Sequence, residues 1–234
     1  MFILLPPSET KAPGGDSPAL DLEGLSFSSL NPIRGELIDE LRSLSVDEAL
    51  EVLNISEKLR PEAEANQKLL SAPTMPAIFR YTGVLYDALD AATLKDTSQL
   101  GVGSALFGLL RADDLIPHYR LSANTKLGGR TLKSRWGQAI TEALEDLDEL
   151  VVDLRSTGYR NLGKLKDAVT VRVITADTRK VVSHFNKHYK GELARVLATA
   201  SATDAAGIAE IAEAAGMTVE YDTGTEITLV VERN

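Results

Sequence analysis

The chain opens on four consecutive apolar residues, Phe2-Ile3-Leu4-Leu5, closed by Pro6-Pro7. A run this short, stopped by proline, predicts a buried strand rather than a helix. Residues 6–30 hold Pro6, Pro7, Pro13, Gly14, Gly15 and Pro18 and read as loop. From about 31 to 70 the apolar positions change to steps of three and four, Leu37, Leu41, Leu44 and then Ala49, Leu50, Leu53, which predicts amphipathic helices. Ser45 ahead of Asp47 and Glu48 supplies an N-cap with acids in the first turn, and residues 57–70 form a further helix with Pro61 near its start.

Residues 79–86 are aromatic and β-branched around Gly83, and 85–94 look helical. Residues 100–110, spaced by Gly101, Gly103 and Gly108, predict a strand and a tight turn. Residues 119–127 read as one arm of a hairpin turning at Gly128-Gly129, and 132–147 as one amphipathic helix carrying Trp136, Ile140, Leu144 and Leu147. Strands are expected at 150–154, 169–174 and 181–185, then a helix to about 200, a second one at 204–215 ended by Gly216, and a hairpin of 217–221 with 227–232. Strands interleaved with helices predict an α/β (α+β) single domain over 1–234, with a mixed β-sheet flanked by helices and an N-terminal helical part at about 31–70.

Composition narrows the chemistry. The 234 residues include no cysteine, which excludes disulfides, thiolate metal sites, a cysteine nucleophile and thiol-based peroxide sensing. No uncharged apolar stretch approaches the roughly 18 residues of a membrane span, so a cytoplasmic protein without a membrane partner is expected. The formal charge of −9 argues at first against a nucleic-acid partner. Its distribution changes that picture. Residues 1–70 sum to −7, 71–140 to +3, 141–153 to −6, 154–195 to +7 and 196–234 to −6. The two basic blocks point to an anionic partner and count against the N-terminal helices as its docking place.

Gly101-Val102-Gly103 opens like a dinucleotide loop, but the next glycine is Gly108, too far on; GxxxxGK[ST] and GxSxG are absent. His184 and His188 stand four apart, as zinc ligands on a helix do, but without the HExxH pattern or a third ligand, and Asp113-Asp114 reads as a turn or cap. Neither a metal nor a cofactor is expected. The candidate anion-binding set is Lys11, Arg111, Arg120, Lys126, Arg135, Arg155, Tyr159, Lys187, Lys190 and Arg195, in part because arginine forks and aromatic faces suit phosphates and bases.

Several ordered segments resemble the YaaA family of peroxide-stress proteins. Residues 3–11 (ILLPPSETK), Ile55-Ser56-Glu57-Lys58-Leu59, residues 81–89 and 106–111, Asp114-Leu115-Ile116, Tyr119-Arg120-Leu121, Trp136-Gly137, residues 152–156 with Tyr159, and 187–195 follow in the family's order. The resemblance implies the family's own fold with a basic cleft, an intracellular role limiting hydrogen peroxide damage and free iron, and binding of duplex or structured DNA through a helix-hairpin-helix-like element. The sequence departs from the pattern at Ala105 and Ala112, and around Arg60-Pro61-Glu62, which lacks the glycines of a phosphate-approaching hairpin. A competing reading is an enzyme acting on a phosphorylated or nucleotide-like small molecule in the same cleft, with Ser8, Thr10, Ser104, Asp114, Tyr119 and Ser156 as its polar pocket. A pocket joining Lys11, Arg111 and Arg120 would favour the enzyme; an open groove would favour DNA.

Overall fold

The computed structural model describes residues 1–182 and 185–232. Its first half runs β1 (Phe2–Leu5), β2 (Ser17–Ala19), α1 (Asn31–Ser43), α2 (Val46–Leu53), α3 (Arg60–Gln67), β3 (Pro73–Pro76), α4 (Ala77–Arg80), α5 (Val84–Leu89), β4 (Leu100–Ser104), β5 (Gly108–Arg111) and β6 (Leu115–Ile116). The second half runs β7 (Lys126–Leu127), β8 (Arg130–Thr131), α6 (Leu132–Trp136), α7 (Ala139–Glu145), β9 (Val151–Asp153), α8 (Thr157–Arg160), β10 (Val169–Thr175), α9 (Asn186–Leu197), α10 (Ala205–Ala214), β11 (Val219–Glu220) and β12 (Glu226–Val231). No helix among the described residues is long and apolar enough to cross a membrane.

Seven strands form one mixed sheet in the order β11-β12-β10-β9-β1-β4-β5. The five inner strands are parallel, and an antiparallel strand closes each edge. All four residues of β1 are fully buried, as expected of a central parallel strand covered on both faces. The chain leaves β1 toward β4 on one side, then returns past it to β9 and onward to β10 on the other. The order therefore reverses between β1 and β9, and the crevice outside their carboxyl ends is where sheets of this kind place ligands.

Several helices sit where the hydrophobic spacing puts them. Ser45 caps α2 through a full capping box with Glu48. The stretch 132–147 is instead two helices, because Gly137 turns at φ 53 and ends α6. Around the aromatic stretch 79–86, Ala77–Arg80 and Val84–Leu89 are short helices separated by Gly83 at φ 99. The hairpin at Gly128-Gly129 has two residues per arm, and 119–125 is irregular, its backbone bonded to side chains such as Asn66 rather than to a ladder. Within the expected strand at 181–185, Val181 makes an isolated bridge to Ile174, and 183–184 lie outside the described residues.

Packing also depends on one close approach. Gly191 lies where α9 crosses α5, and a Cβ there would sit 2.3 Å from the Leu85 carbonyl oxygen. Gly35, inside α1, has open space at the same position. Gly191→Ala is expected to lower stability by about 1–3 kcal/mol through overpacking. Gly35→Ala is expected to raise it by about 0.5–1 kcal/mol through helix propensity. Thermal unfolding of the two variants should move in opposite directions; a gain at Gly191 would contradict the packing described.

Candidate functional site

The cleft at the strand-order reversal has a volume of about 470 Å³. Pro6, Pro7 and Glu9 line it from the loop after β1, and Leu154, Ser156, Gly158 and Tyr159 from the loop after β9. Ser122, Ala123 and Asn124 close one wall, and Asn186, Lys187 and Lys190 project from the start of α9. The Asn186 Oδ1 is buried without a hydrogen-bond partner among the described residues. A smaller recess of about 200 Å³ lies next to it, lined by Asp153, Thr157, Arg160, Asn161, Lys164 and Thr170.

The wall between the two recesses is held from below by Arg155. Its Nε donates to Asp153 Oδ1 at 2.9 Å, and its Nη2 to Asp153 Oδ2 and the Gly163 carbonyl, both at 2.8 Å. The side chain is 2% exposed, and it runs against Gly103 of β4, where a Cβ would lie 2.4 Å from the Arg155 Cδ. Arg155 thus supports the loop rather than facing a ligand. Lys190 donates to the Leu154 carbonyl at 3.2 Å. Burial and then the nearby Arg160 guanidinium pull its amine down to about 8. The Tyr159 hydroxyl is pushed up to about 12, chiefly by burial, and stays protonated at neutral pH.

Beside this cleft the loop after β1 folds its lysine inward. Lys11 Nζ donates to the Ser8 carbonyl at 3.1 Å and lies 4.4 Å from the Tyr119 ring centre and 5.5 Å from that of Tyr81. Burial, then the Arg120 charge, pull its pKa down to about 7. Under the amine, Ser104 Oγ accepts the backbone N–H groups of Leu106 and Phe107, so its own proton goes to the Tyr119 hydroxyl at 2.7 Å. Tyr119 in turn bonds Tyr81 at 2.7 Å. Arg120 donates to the Glu9 carboxylate at 2.9 Å and to the Glu9 carbonyl at 3.1 Å. Ser8 and Thr10 bond each other at 3.1 Å at the surface of the same loop.

The remaining residues of the expected set are not brought here. Arg111 sits at the amino-terminal ends of β1 and β4, paired with Glu149 at 2.5 Å and stacked over Phe2, so Lys11 and Arg111 do not share a pocket. Asp114 accepts from the Ser26 hydroxyl and backbone and from the Arg111 backbone, which makes it a structural cap. Arg135 is held by Glu40 at 2.6 Å, and Arg195 donates to the Leu89 and Asp90 carbonyls behind α5. Lys126 is exposed on β7. His184 lies outside the described residues, and His188 pairs with Glu192 at 3.3 Å. Glu9, Asn124, Arg160 and Asn186 belong to the site without having been singled out; Glu9 lies within the ILLPPSETK segment and Arg160 within the +7 block.

The model of a family described as peroxide stress protein YaaA matches residues 1–222. The chain belongs to the YaaA family. YaaA relatives named as UPF0246 proteins include one from Corynebacterium efficiens, 60% identical over 99% of both chains, and one from Corynebacterium glutamicum, 57% identical over 99% of both. A Streptomyces coelicolor UPF0246 protein is 44% identical over 92% of this chain and 88% of its own.

Lys11 holds its place in this YaaA chain at a cost. Its pKa is lower in the folded than in the unfolded chain, so the unfolded state binds more protons between about 7 and the ordinary lysine value. Stability contributed at this position therefore rises with pH through that window, and the penalty is fully present below it. Lys11→Met is expected to raise the melting temperature at pH 7 by a few degrees, about 2–4 °C per kcal/mol recovered. A lower melting temperature for Lys11→Met at pH 7 would show that the amine stabilises the loop instead.

Proposed function

We propose that this chain is a cytoplasmic YaaA-type peroxide-stress protein that binds DNA through phosphate contacts on the surface around α8 and the start of α9. The observation that carries the reading is how the positive charges are divided. Arg60, Arg111, Arg120, Arg135, Arg155 and Arg179 are all paired with carboxylates. Arg160, Lys164 and Lys187 have no acidic partner within 4 Å among the described residues, and they lie on the two adjoining recesses with Lys190. Unpaired cations gathered on one face leave their field available to phosphates. The helices α2 and α3, by contrast, have Arg60 bound to Asp47 and Glu57, and residues 46–67 carry six acids against two bases.

Protection follows from this binding in physical terms. Lysine and arginine groups that neutralise phosphates release the cations condensed on DNA, ferrous iron among them. Peroxide then meets less iron at the strand, a local protection of DNA that needs no iron site in the protein. A second reading, a phosphorylated or nucleotide-like small molecule bound in the cleft, is favoured by the cleft's position outside β1 and β9 and by its polar lining.

Fluorescence anisotropy with a mixed-sequence duplex at about 50 mM salt tests the first reading. The triple variant Arg160→Ala, Lys164→Ala, Lys187→Ala is expected to bind about tenfold or more weakly, with the salt slope shallower by roughly 0.9 per lost phosphate contact. Arg111→Ala, at the opposite end of the strands, is expected to bind as the unmodified protein does. Unchanged affinity in the triple variant, with the unmodified protein binding, would overturn the placement.

A further inference from the structure

The amine of Lys11 belongs neither to the surface around α8 nor to an ion pair among the described residues. Glu9 gives its carboxylate to Arg120 at 2.9 Å, and Glu62 gives its own to His118, also at 2.9 Å. Lys11 Nζ is left with the carbonyls of Ser8 and Glu9, at 3.1 and 3.4 Å, and with the faces of Tyr119 and Tyr81. It stands at the carboxyl end of the central strand, on the loop whose Pro6, Pro7 and Glu9 line the cleft. An amine set among aromatic rings, with a guanidinium nearby and the neighbouring carboxylates engaged elsewhere, is in the setting that makes a lysine a nucleophile.

We propose that Lys11 is a Schiff-base lysine that condenses with the aldehyde of a phosphate-bearing sugar brought to the adjoining cleft. Lys187 and Lys190, which line the same cleft as Glu9, supply the charge that draws the phosphate. The Nζ lone pair adds to the carbonyl carbon, and the carbonyl oxygen takes a proton from water to give a carbinolamine. Nζ then releases its protons, the C–O bond breaks, and the oxygen leaves as water as the C=N bond forms. One amine and one aldehyde thus give one imine and one water, with no oxidant or reductant. Because Lys11 is pulled down to about 7, close to half of it is already neutral at physiological pH. The ligand chemistry, an aldehyde beside a phosphate, has two sources: a free sugar phosphate, or the deoxyribose left in a DNA strand after a base is lost. The proposal stands whether or not the protein also binds intact duplex.

Pyridoxal 5′-phosphate supplies both groups and tests the proposal on the unmodified protein. After brief exposure at pH 7 and reduction with borohydride, peptide mapping is expected to place the label on Lys11 at least about tenfold faster than on exposed Lys58 or Lys133, since an ordinary lysine is almost wholly protonated there. The Lys11 labelling rate should rise with pH to a plateau with a midpoint near 7. The Lys11→Met protein should lose that label and keep the slow background. In a parallel arm, a duplex carrying one abasic deoxyribose replaces the pyridoxal compound. A borohydride-trapped cross-link at Lys11 assigns the DNA source, and labelling by the small aldehyde without a cross-link assigns the free sugar phosphate. Label spread evenly over the lysines, or cross-links at a lysine other than Lys11, would overturn the proposal.

Discussion

The architecture of the site depends on the buried pair of Asp153 and Arg155 at the carboxyl end of β9. Placing two charges inside a sheet costs several kcal/mol of hydration per ion, and only full pairing and hydrogen bonding offset it. Here the guanidinium meets both carboxylate oxygens, and its remaining reach goes to the Gly163 carbonyl. That last bond ties the end of the α8 segment back to the sheet, and Gly103 leaves the room for the arginine to pass. Ser156, Gly158, Tyr159 and Arg160 are therefore carried on a loop fastened at both ends. A buried ion pair is weak evidence for net stability, but here it sets where the cleft wall stands.

From that fastening follows a division of labour among the basic residues. Charges near the sheet are neutralised locally, Arg155 by Asp153 below the cleft and Arg111 by Glu149 at the opposite end of the strands. Arg160, Lys164 and Lys187, without a carboxylate within 4 Å among the described residues, lie on the α8 segment and the first turn of α9, and α9 is set against α5 by the close approach at Gly191. The loop after β1 contributes something different: an amine held among aromatic rings, beside the charged rim rather than on it.

Much of the fold was legible in the chain itself, because the strongest signals were local. The unbroken apolar run of β1 with its proline stop, the Ser45 cap of α2 and the alternation in β10 each follow from a few adjacent residues. The clearest error came where one residue overrode a pattern, as Gly137 did in dividing the helix expected over 132–147. The site was legible in its ingredients but not in its assembly. Lys11, Arg120, Tyr159, Lys187 and Lys190 come from four separated stretches that only the fold around β1 and β9 brings together. Arg111 and Arg155 have the same sequence signature as a phosphate ligand, and only the partners Glu149 and Asp153, 38 and 2 residues away, reveal that they are engaged.

The central claim is that anionic ligands meet this chain at the carboxyl ends of β1 and β9, over the unpaired bases, and not at the N-terminal helices. Amide chemical-shift mapping of the isotope-labelled protein titrated with a short duplex tests it most directly. The account predicts shifts concentrated on residues 156–164 and 186–190, with α2 and α3 unmoved. Shifts concentrated on α2 and α3, with residues 156–164 silent, would contradict it.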